Sequence, residues 1–378
     1  MALLSGAGAH SLGIFLVAME RHFGWSRAAL SVAFSLGRAE GALLGPIEGI
    51  LTDRLGPRFM VFIGLLIFGS GFIFLRYIEN LLGFYIAFGI VFLGLGLAGF
   101  IPLMAILNNW FRRRKTTAMA FAMTGNSIGG LIVPVLAMAI ATFGWQNTSL
   151  GLGIGLALAS VPISLMLRDR PESFGLRPDG DTPTDIVEPG SSANEPSVTS
   201  QNEGMTLSEA LRTSALWIIT FSHAFAGVSF AVAMVHIAPH LTDKGLSIEM
   251  AGTIVATYTF VGIISQLAAG IIGDRLPKPP LIAFFIALQG TGMVLSLFIS
   301  GIPSALVFSI VFGLGFGGRT TLLTAIRGEY FGRKAFATIV GVSQLPMNII
   351  FMAAPILAGY AFDTLGSYTI PFIALAIS

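Results

Sequence analysis

Apolar stretches of about 20 residues recur along this chain, and short segments with charged residues separate them. A helix of that length crosses roughly 30 Å of hydrocarbon, so each stretch predicts a membrane-spanning helix. The predicted spans are 1–19, 28–51, 59–77, 81–109, 117–142, 147–167, 213–236, 250–272, 280–299, 304–326, 336–360 and 367–378. The last stretch is about half as long as a crossing requires, so we expect the chain to stop inside its final helix.

The composition agrees with this pattern. Of 378 residues, 54% are hydrophobic and 11% are charged, whereas soluble domains carry about 25% charged residues. The sequence therefore predicts an all-α membrane protein. It contains no cysteine, which excludes disulfides, thiolate metal sites and cysteine nucleophiles. Because no other nucleophile or metal set is assembled either, we expect no enzyme activity, no cofactor and no bound metal.

Basic residues are distributed unevenly between the two sides of the membrane. With the N-terminus inside, 15 of the 21 Lys and Arg residues fall on the cytosolic side and 4 on the outer side. This bias agrees with the positive-inside rule. We expect an integral protein of the bacterial inner membrane, with both termini in the cytoplasm.

A polar segment divides the spans into two sets of six. Residues 168–206 are rich in Pro, Ser, Asp, Glu and Asn, and such a segment buries too little apolar surface to fold. We expect a bundle at 1–167, a flexible cytosolic linker at 168–206 and a second bundle at 207–378. Thr206 and Glu209 have the spacing of a capping box, which predicts a helix start before the seventh span.

The two sets of spans repeat each other in sequence. Three short matches lie in order at offsets of 221, 219 and 220 residues: Gly49–Arg54 with Gly270–Arg275, Gly94–Gly96 with Gly313–Gly315, and Trp110–Phe111 with Tyr330–Phe331. Duplicated units of this kind build transporters whose substrate site lies near the middle of the membrane.

The loop after the second span resembles the signature of the major facilitator superfamily. The matching residues are Gly49, Asp53, Arg54, Gly56 and Arg58. Two further blocks, Phe23–Arg27 and Trp110–Lys115, resemble bacterial relatives of monocarboxylate and oxalate/formate carriers. The resemblance implies two six-helix bundles related by a pseudo-twofold axis.

The resemblance also implies a cytosolic gate at both copies of the loop. The first copy is named above, and the second contains Gly270, Asp274 and Arg275. In this interpretation Asp53 and Asp274 hold the cytosolic side closed through neighbouring helix N-termini or loop arginines. Alternatively, they only anchor the topology as solvated charges.

Arg319 is the sharpest candidate for substrate binding. It lies about eleven residues from Tyr330, which places it roughly 16 Å deep in the tenth span. A guanidinium at that depth is costly without a partner or a purpose, and it suits a carboxylate. The resemblance implies that the tenth helix lines the cavity. The alternative is a salt bridge with Glu40.

Arg38 and Glu40 lie near the middle of the second span and point to nearly opposite faces of its helix. Glu40 is a candidate for proton coupling or gating, and Arg38 for a second anion-binding cation. Both could instead form ion pairs that fix helix packing.

Four weaker candidates for substrate contact are His10, His223, Asn126 and Gln344. Each could equally hydrogen-bond within or between helices.

These observations predict a secondary carrier that moves a small organic anion, such as a monocarboxylate, by alternating access. The coupling would be proton symport or anion exchange, since no ATP-binding motif is present. The expected partners are the anionic substrate, a proton or counter-anion and the lipid bilayer, with no nucleic acid and with the chain as a monomer. The alternatives are proton-driven efflux of amphipathic compounds and a membrane sensor that transports nothing.

Overall fold

The computed structural model describes residues 1–180, 204–365 and 372–373 of the chain. Over this part the protein is almost entirely helical, and the pairing of Gly204 with Gly332 is an isolated β-bridge. The α-helices are α1 (Ala2–Ser5), α2 (Leu12–Phe23), α3 (Arg27–Leu55), α4 (Pro57–Leu75), α5 (Leu81–Ala98), α6 (Phe100–Trp110), α7 (Lys115–Ile128), α8 (Val133–Met166), α9 (Leu207–Leu211), α10 (Ser214–Asp243), α11 (Ile248–Gly273), α12 (Lys278–Leu297), α13 (Ile302–Tyr330) and α14 (Phe336–Leu365).

Eleven of the predicted spans coincide with helical segments, and the twelfth lies outside the described residues except for 372 and 373. Seven helical segments in the described part are long and apolar enough to cross a membrane. The fifth and sixth spans were expected to be separate helices. This is confirmed, because α8 comprises two helices that meet at Gly144, where the backbone is not helical and its φ of 79° favours glycine.

Polar residues begin several of these helices. Side-chain oxygens of Ser26, Asn80, Thr213 and Ser247 accept hydrogen bonds from backbone N–H groups three residues later. The predicted capping box is confirmed, because Glu209 accepts from the Thr206 N–H at 2.6 Å and the Glu209 N–H donates back to the Thr206 hydroxyl at 3.3 Å. These bonds satisfy donors that a helix start would otherwise leave open.

Proline interrupts the long helix α3. Pro46 lies inside this helix, where its ring nitrogen cannot donate to the carbonyl of Ala42. Such a position bends a helix or weakens one of its turns.

Contacts divide the chain into two compact units. Unit 1 comprises Met1–Arg113, Gly125–Ala210 and Tyr330–Val342, and unit 2 comprises Arg114–Thr124, Leu211–Glu329 and Ser343–Ser378. The division at 1–167, 168–206 and 207–378 stays a prediction, and residues 181–203 of its linker lie outside the described part.

Close helix packing in unit 1 depends on glycines. A Cβ on Gly64 or Gly94 would collide with backbone at the crossing of α4 and α5. Gly69 and Gly153 play the same role where α4 crosses α8. Small residues at such crossings allow the backbones to approach closely.

Unit 2 uses glycines on one helix for two crossings. Gly313 and Gly317 on α13 face the backbone of α11, whereas Gly315 faces the backbone of α12 at Gln289. These contacts fix α13 tightly between its neighbours, and α13 carries the deepest charges of this unit.

Candidate functional site

Arg319 lies on α13 and is 2% exposed. Its Nε donates a hydrogen bond to Oε1 of Gln289 on α12. Its guanidinium carbon lies 5.8 Å from the ring centre of Phe316, one turn earlier on α13. The described polar partner of this charge is therefore a neutral amide.

The orientation of Gln289 follows from its second contact. Its Nε2 donates to the backbone oxygen of Ala226 on α10 at 3.0 Å, so its Oε1 is left to face Arg319. Gly315 makes this geometry possible, because a Cβ there would collide with the backbone of Gln289. The Nη groups of Arg319 have no carboxylate partner among the described residues. They remain available for a ligand that can accept a fork of hydrogen bonds.

A second arginine of α13 is also buried. Arg327 is 4% exposed, and its Nη1 donates to the Leu323 carbonyl at 2.7 Å and contacts His223 Nδ1 at 3.1 Å. His223, on α10, lies close enough to interact with the charges of both Arg327 and Arg319. Since a guanidinium only donates, His223 accepts at Nδ1 and its imidazole is neutral. The structure thus brings Arg319, Arg327 and His223 into one basic cluster.

The helices around this cluster contain no acidic residue at membrane depth. Asp and Glu are absent from 214–242, 250–273 and 279–328. Lys278 and Glu329 form an ion pair at the ends of α12 and α13. These stretches of α10 to α13 therefore supply no carboxylate that could neutralise the two buried arginines.

Unit 1 buries acidic residues instead of arginines. Glu40 and Glu48 both lie on α3, their carboxyl groups interact, and Oε1 of each is buried without a hydrogen-bond partner within the described residues. Glu48 is 5% exposed, whereas Glu40 is half-buried. Both Oε1 atoms face Gly96 on α5, where an added Cβ would lie 3.1 Å from that of Glu40 and would collide with that of Glu48.

The remaining candidates are not brought together. The side chains of His10 and Arg38 lie outside the described part of the structure. Asn126 on α7 is exposed, and its backbone oxygen accepts from the Ser5 hydroxyl at 2.9 Å. Gln344 is half-buried on α14. Their roles stay predictions.

The first loop signature contacts the beginning of α14. Asp53, at the end of α3, accepts from the N–H groups of Ala337 and Thr338 at 3.2 and 2.8 Å. The Thr338 hydroxyl donates to the same carboxylate at 2.6 Å. Gly49, one turn earlier, lies against the backbone of Ala337 and Thr338, which a side chain would prevent.

The second copy of the signature repeats this contact in unit 2. Asp274, at the end of α11, accepts from the N–H groups of Thr116 and Thr117 at 2.8 and 3.0 Å, in the first turn of α7. Gly270 lies one turn earlier and faces Thr116 and Ala120. In both copies a carboxylate therefore meets the positive end of a helix. The accompanying Arg54 and Arg275 are exposed.

Other residues of the first signature contact the segment that follows α8. Gly56 ends α3 with a φ of 88°, and the Arg58 N–H donates to Asp169 at 2.6 Å. Close by in the sequence, Glu172 accepts two hydrogen bonds from Arg333, at 2.7 and 3.1 Å. Burial alone would raise the pKa of Glu172, but the hydrogen bonds and charge of Arg333, a backbone hydrogen bond and the charge of Arg170 together hold that pKa below its ordinary value.

Sequence reasoning missed three contributors to these clusters. Gln289 was missed although it is an amide in an apolar span, and Arg327 was assigned to the cytosolic loops. Gly96 was treated only as a packing residue. The signal for Gln289 was its polarity, but nothing in the sequence pairs it with Arg319.

Long apolar helices, buried charges and matching loop contacts define this chain as a polytopic membrane carrier. The model of the Major Facilitator Superfamily matches residues 1–239 and 216–378. The chain belongs to this superfamily. It is a membrane transporter and not an enzyme.

Relatives and solved structures agree with this assignment. Human monocarboxylate transporter 11 is 27% identical to this chain over 374 residues, which cover 96% of the chain and 75% of that protein. Bovine monocarboxylate transporter 13 is 24% identical, and the match covers 96% of this chain and 80% of that protein. The structure of the fucose:proton symporter of E. coli has a TM-score of 0.73 at 11% identity, and the match covers 100% of this chain and 93% of that chain. The structure of a proton:xylose symporter has a TM-score of 0.70 at 14% identity, and the match covers 100% of this chain and 90% of that chain. The predicted all-α major facilitator fold is thereby confirmed.

Proposed function

We propose that this chain is a secondary transporter that moves a small organic anion by alternating access. The observation that carries the proposal is the buried guanidinium of Arg319, whose described polar partner is the neutral amide of Gln289. A permanent charge at membrane depth is stable only with a compensating group. An anionic substrate supplies that group when it binds.

Carboxylates are the substrate class that fits this site best. With Nε bonded to Gln289, Arg319 still presents its two Nη groups, which match a carboxylate geometrically. Arg327 adds a second positive charge on the same helix, about 12 Å further along its axis. The names of the relatives support monocarboxylates as the first substrates to test.

The loop aspartates provide the cytosolic gate in this proposal. Asp53 and Asp274 each hold the first turn of a helix that lies far away in the sequence. Release of these turns would open the cytosolic side, and their recapture would close it. The positive-inside bias supports cytoplasmic termini, and we propose that the chain functions as a monomer coupled to a proton or to a counter-anion.

A binding and uptake experiment tests the anion site. Purified protein is screened by thermal shift against mono- and dicarboxylates, and uptake of the best stabiliser is then measured in proteoliposomes. Arg319→Gln should weaken carboxylate binding roughly 100-fold, the order expected when one partner of a desolvated charge pair is removed. Arg319→Lys should retain part of the affinity, because the charge remains and the fork is lost.

Arg212→Gln is the matched control, since Arg212 is an exposed arginine of the same unit. It should bind as the wild type does. Unchanged carboxylate affinity in Arg319→Gln would overturn the proposed site. Stabilisation by neutral or cationic amphipathic compounds, with none by carboxylates, would favour the efflux alternative. Carboxylate binding with no uptake would favour the sensor.

A further inference from the structure

We propose that Glu40 and Glu48 form one protonation site, in which a single proton is shared between two carboxyl groups, and that this proton is the ion coupled to transport. The coupling role rests on the proposed anion transport, whereas proton binding by the pair can be measured without any transport. The pair lies in unit 1 and takes no part in the basic cluster of unit 2.

The geometry of the pair indicates a shared proton. Eight residues rise about 12 Å along a helix, so the two side chains must extend toward each other to interact as they do. Both Oε1 atoms lie beside Gly96, and each is buried with no hydrogen-bond partner in the part of the chain that the structure describes. Two carboxylates cannot hydrogen-bond to one another, because both only accept. One proton turns their contact into a charge-assisted O–H···O hydrogen bond, which is short and strong.

Because the two carboxyl groups are buried, they must share a proton whenever water is excluded from them. Two ionised carboxylates in contact repel each other, and a buried charge without a partner is strongly destabilised. Glu48 is 5% exposed. Glu48 and Glu40 could therefore not both stay ionised in a state that excludes water. Glu40 is half-buried and offers the route by which water can deliver or remove the proton. The pair therefore loses its proton only when water reaches it.

Other charged groups do not replace the proton. Helices α5 and α6 carry no Asp, Glu, Lys, Arg or His within Leu81–Trp110. The charged residues of α4 and α2 are Arg58, at the cytosolic start of α4, and Glu20, Arg21 and His22 near the outer end of α2. On α3, Asp53 is bonded to the start of α14, Arg54 is exposed, and the side chains of Arg27 and Arg38 lie outside the described part. Helix α14 packs against α3 at Gly45 and Gly49, and its charged residue, Asp363, is near its other end. Glu48 is the charged neighbour that acts on Glu40.

Gly96 gives the pair its space. A Cβ at this position would collide with Glu48 Oε1 and lie 3.1 Å from Glu40 Oε1. Because both oxygen atoms converge on one glycine, the surface of α5 holds the two carboxyl groups side by side. Gly96→Ala should separate them and disrupt the shared bond.

Infrared difference spectroscopy during a pH titration tests proton binding directly. Purified protein in nanodiscs is titrated without substrate, and the C=O stretch of protonated carboxyl groups is followed. We expect one titrating band, which is replaced by a band at a different frequency in Glu40→Gln and in Glu48→Gln and is absent in the double variant. Gly96→Ala should shift the band. Glu79→Gln, an exposed carboxylate of the same unit, should leave it unchanged.

Transport measurements then test the coupling. In proteoliposomes, the ratio of uptake driven by a pH gradient to equilibrium exchange of the same carboxylate should fall at least tenfold in either glutamate variant. Glu40→Asp and Glu48→Asp keep an ionisable group and should recover part of that ratio, which separates proton binding from damage to the fold.

The outcomes distinguish this proposal from the proposed function. Two independent bands in the wild type, or a wild-type band that stays unchanged in both single variants, would overturn the shared proton. A shared band with an unchanged uptake ratio would overturn its coupling role. If no carboxylate is bound or transported, the proposed function fails, and the infrared result still decides whether the pair binds a proton.

Discussion

The two units bury ionisable groups of opposite sign. In unit 1 the described interior carries the carboxyl pair Glu40 and Glu48, whereas the interior of unit 2 carries Arg319 and Arg327. Neither set is neutralised by a described group of its own unit. Each is therefore suited to a mobile charge, which would be a proton for the acids and an anion for the guanidinium groups.

The loop signatures differ far less between the units. Asp53 and Asp274 each accept two backbone N–H bonds from the first turn of a distant helix, and each has a glycine one turn earlier. The duplicated unit has thus kept its loop contact and changed its buried charges. The following variants test this comparison, beginning with the largest expected effect.

Gln289→Glu should give the largest effect, because it places a carboxylate on Arg319 inside unit 2. The resulting internal ion pair would occupy the guanidinium, and we expect carboxylate affinity to fall about 100-fold or more. Equilibrium binding of the best carboxylate from the thermal-shift screen measures this. Gln289→Leu removes the hydrogen bond without adding charge and should cost roughly tenfold. Equal affinities of the Glu variant and the wild type would mean that the anion binds elsewhere.

Asp53→Ala should lower uptake more than Asp274→Ala. Asp53 loses three hydrogen bonds and Asp274 two. If the contacts act as gates, we expect a decrease of up to about 100-fold for Asp53→Ala and of up to about 30-fold for Asp274→Ala, given about 1 kcal/mol for each net hydrogen bond. Initial uptake rates, normalised to the amount of inserted protein, provide the measurement. Equal rates for both variants and the wild type would exclude a gating role.

Thr338→Val and Thr116→Val test the hydroxyl groups beside the two loop contacts. The Thr338 hydroxyl donates to Asp53 at 2.6 Å, whereas the buried Thr116 hydroxyl has no partner among the described residues. Thr338→Val should reduce uptake up to about fivefold, the effect of one hydrogen bond. Thr116→Val should be neutral or slightly stabilising, because it removes an unsatisfied buried group. The reverse order would show that the hydroxyl groups do not determine the strength of these contacts.

Glu172→Gln should have the smallest effect, and it should depend on pH. The pKa of Glu172 is lowered in the folded protein, so its contribution to stability is present above the unfolded value of about 4.3 and is lost as pH falls through the folded value. We expect the variant to unfold a few degrees below the wild type between pH 8 and 5, corresponding to about 1 kcal/mol for a partly screened pair. Thermal unfolding should show the two curves converge as pH falls through the lowered pKa of Glu172 in the folded protein. A gap that persists at lower pH would contradict the assigned ion pair.

The sequence predicted the spans and the loop aspartates because both leave local signals. Apolar length located eleven helical segments, and one short signature identified Asp53. The contact between Glu40 and Glu48 could not be predicted in this way, since residues eight apart lie about 80° from each other around an ideal helix. The bond from Arg319 to Gln289 depends on how closely α12 and α13 pack.

Pro46 lies between the two glutamates of α3, and this position has a thermodynamic consequence. A helix with a missing hydrogen bond bends at low energetic cost, so the separation of the two carboxyl groups varies with the angle between the segments on either side of Pro46. Any bend that the proton favours must in turn favour the proton, because linkage is reciprocal. Through the bend of α3, a difference in acidity across the membrane can therefore change the shape of this helix.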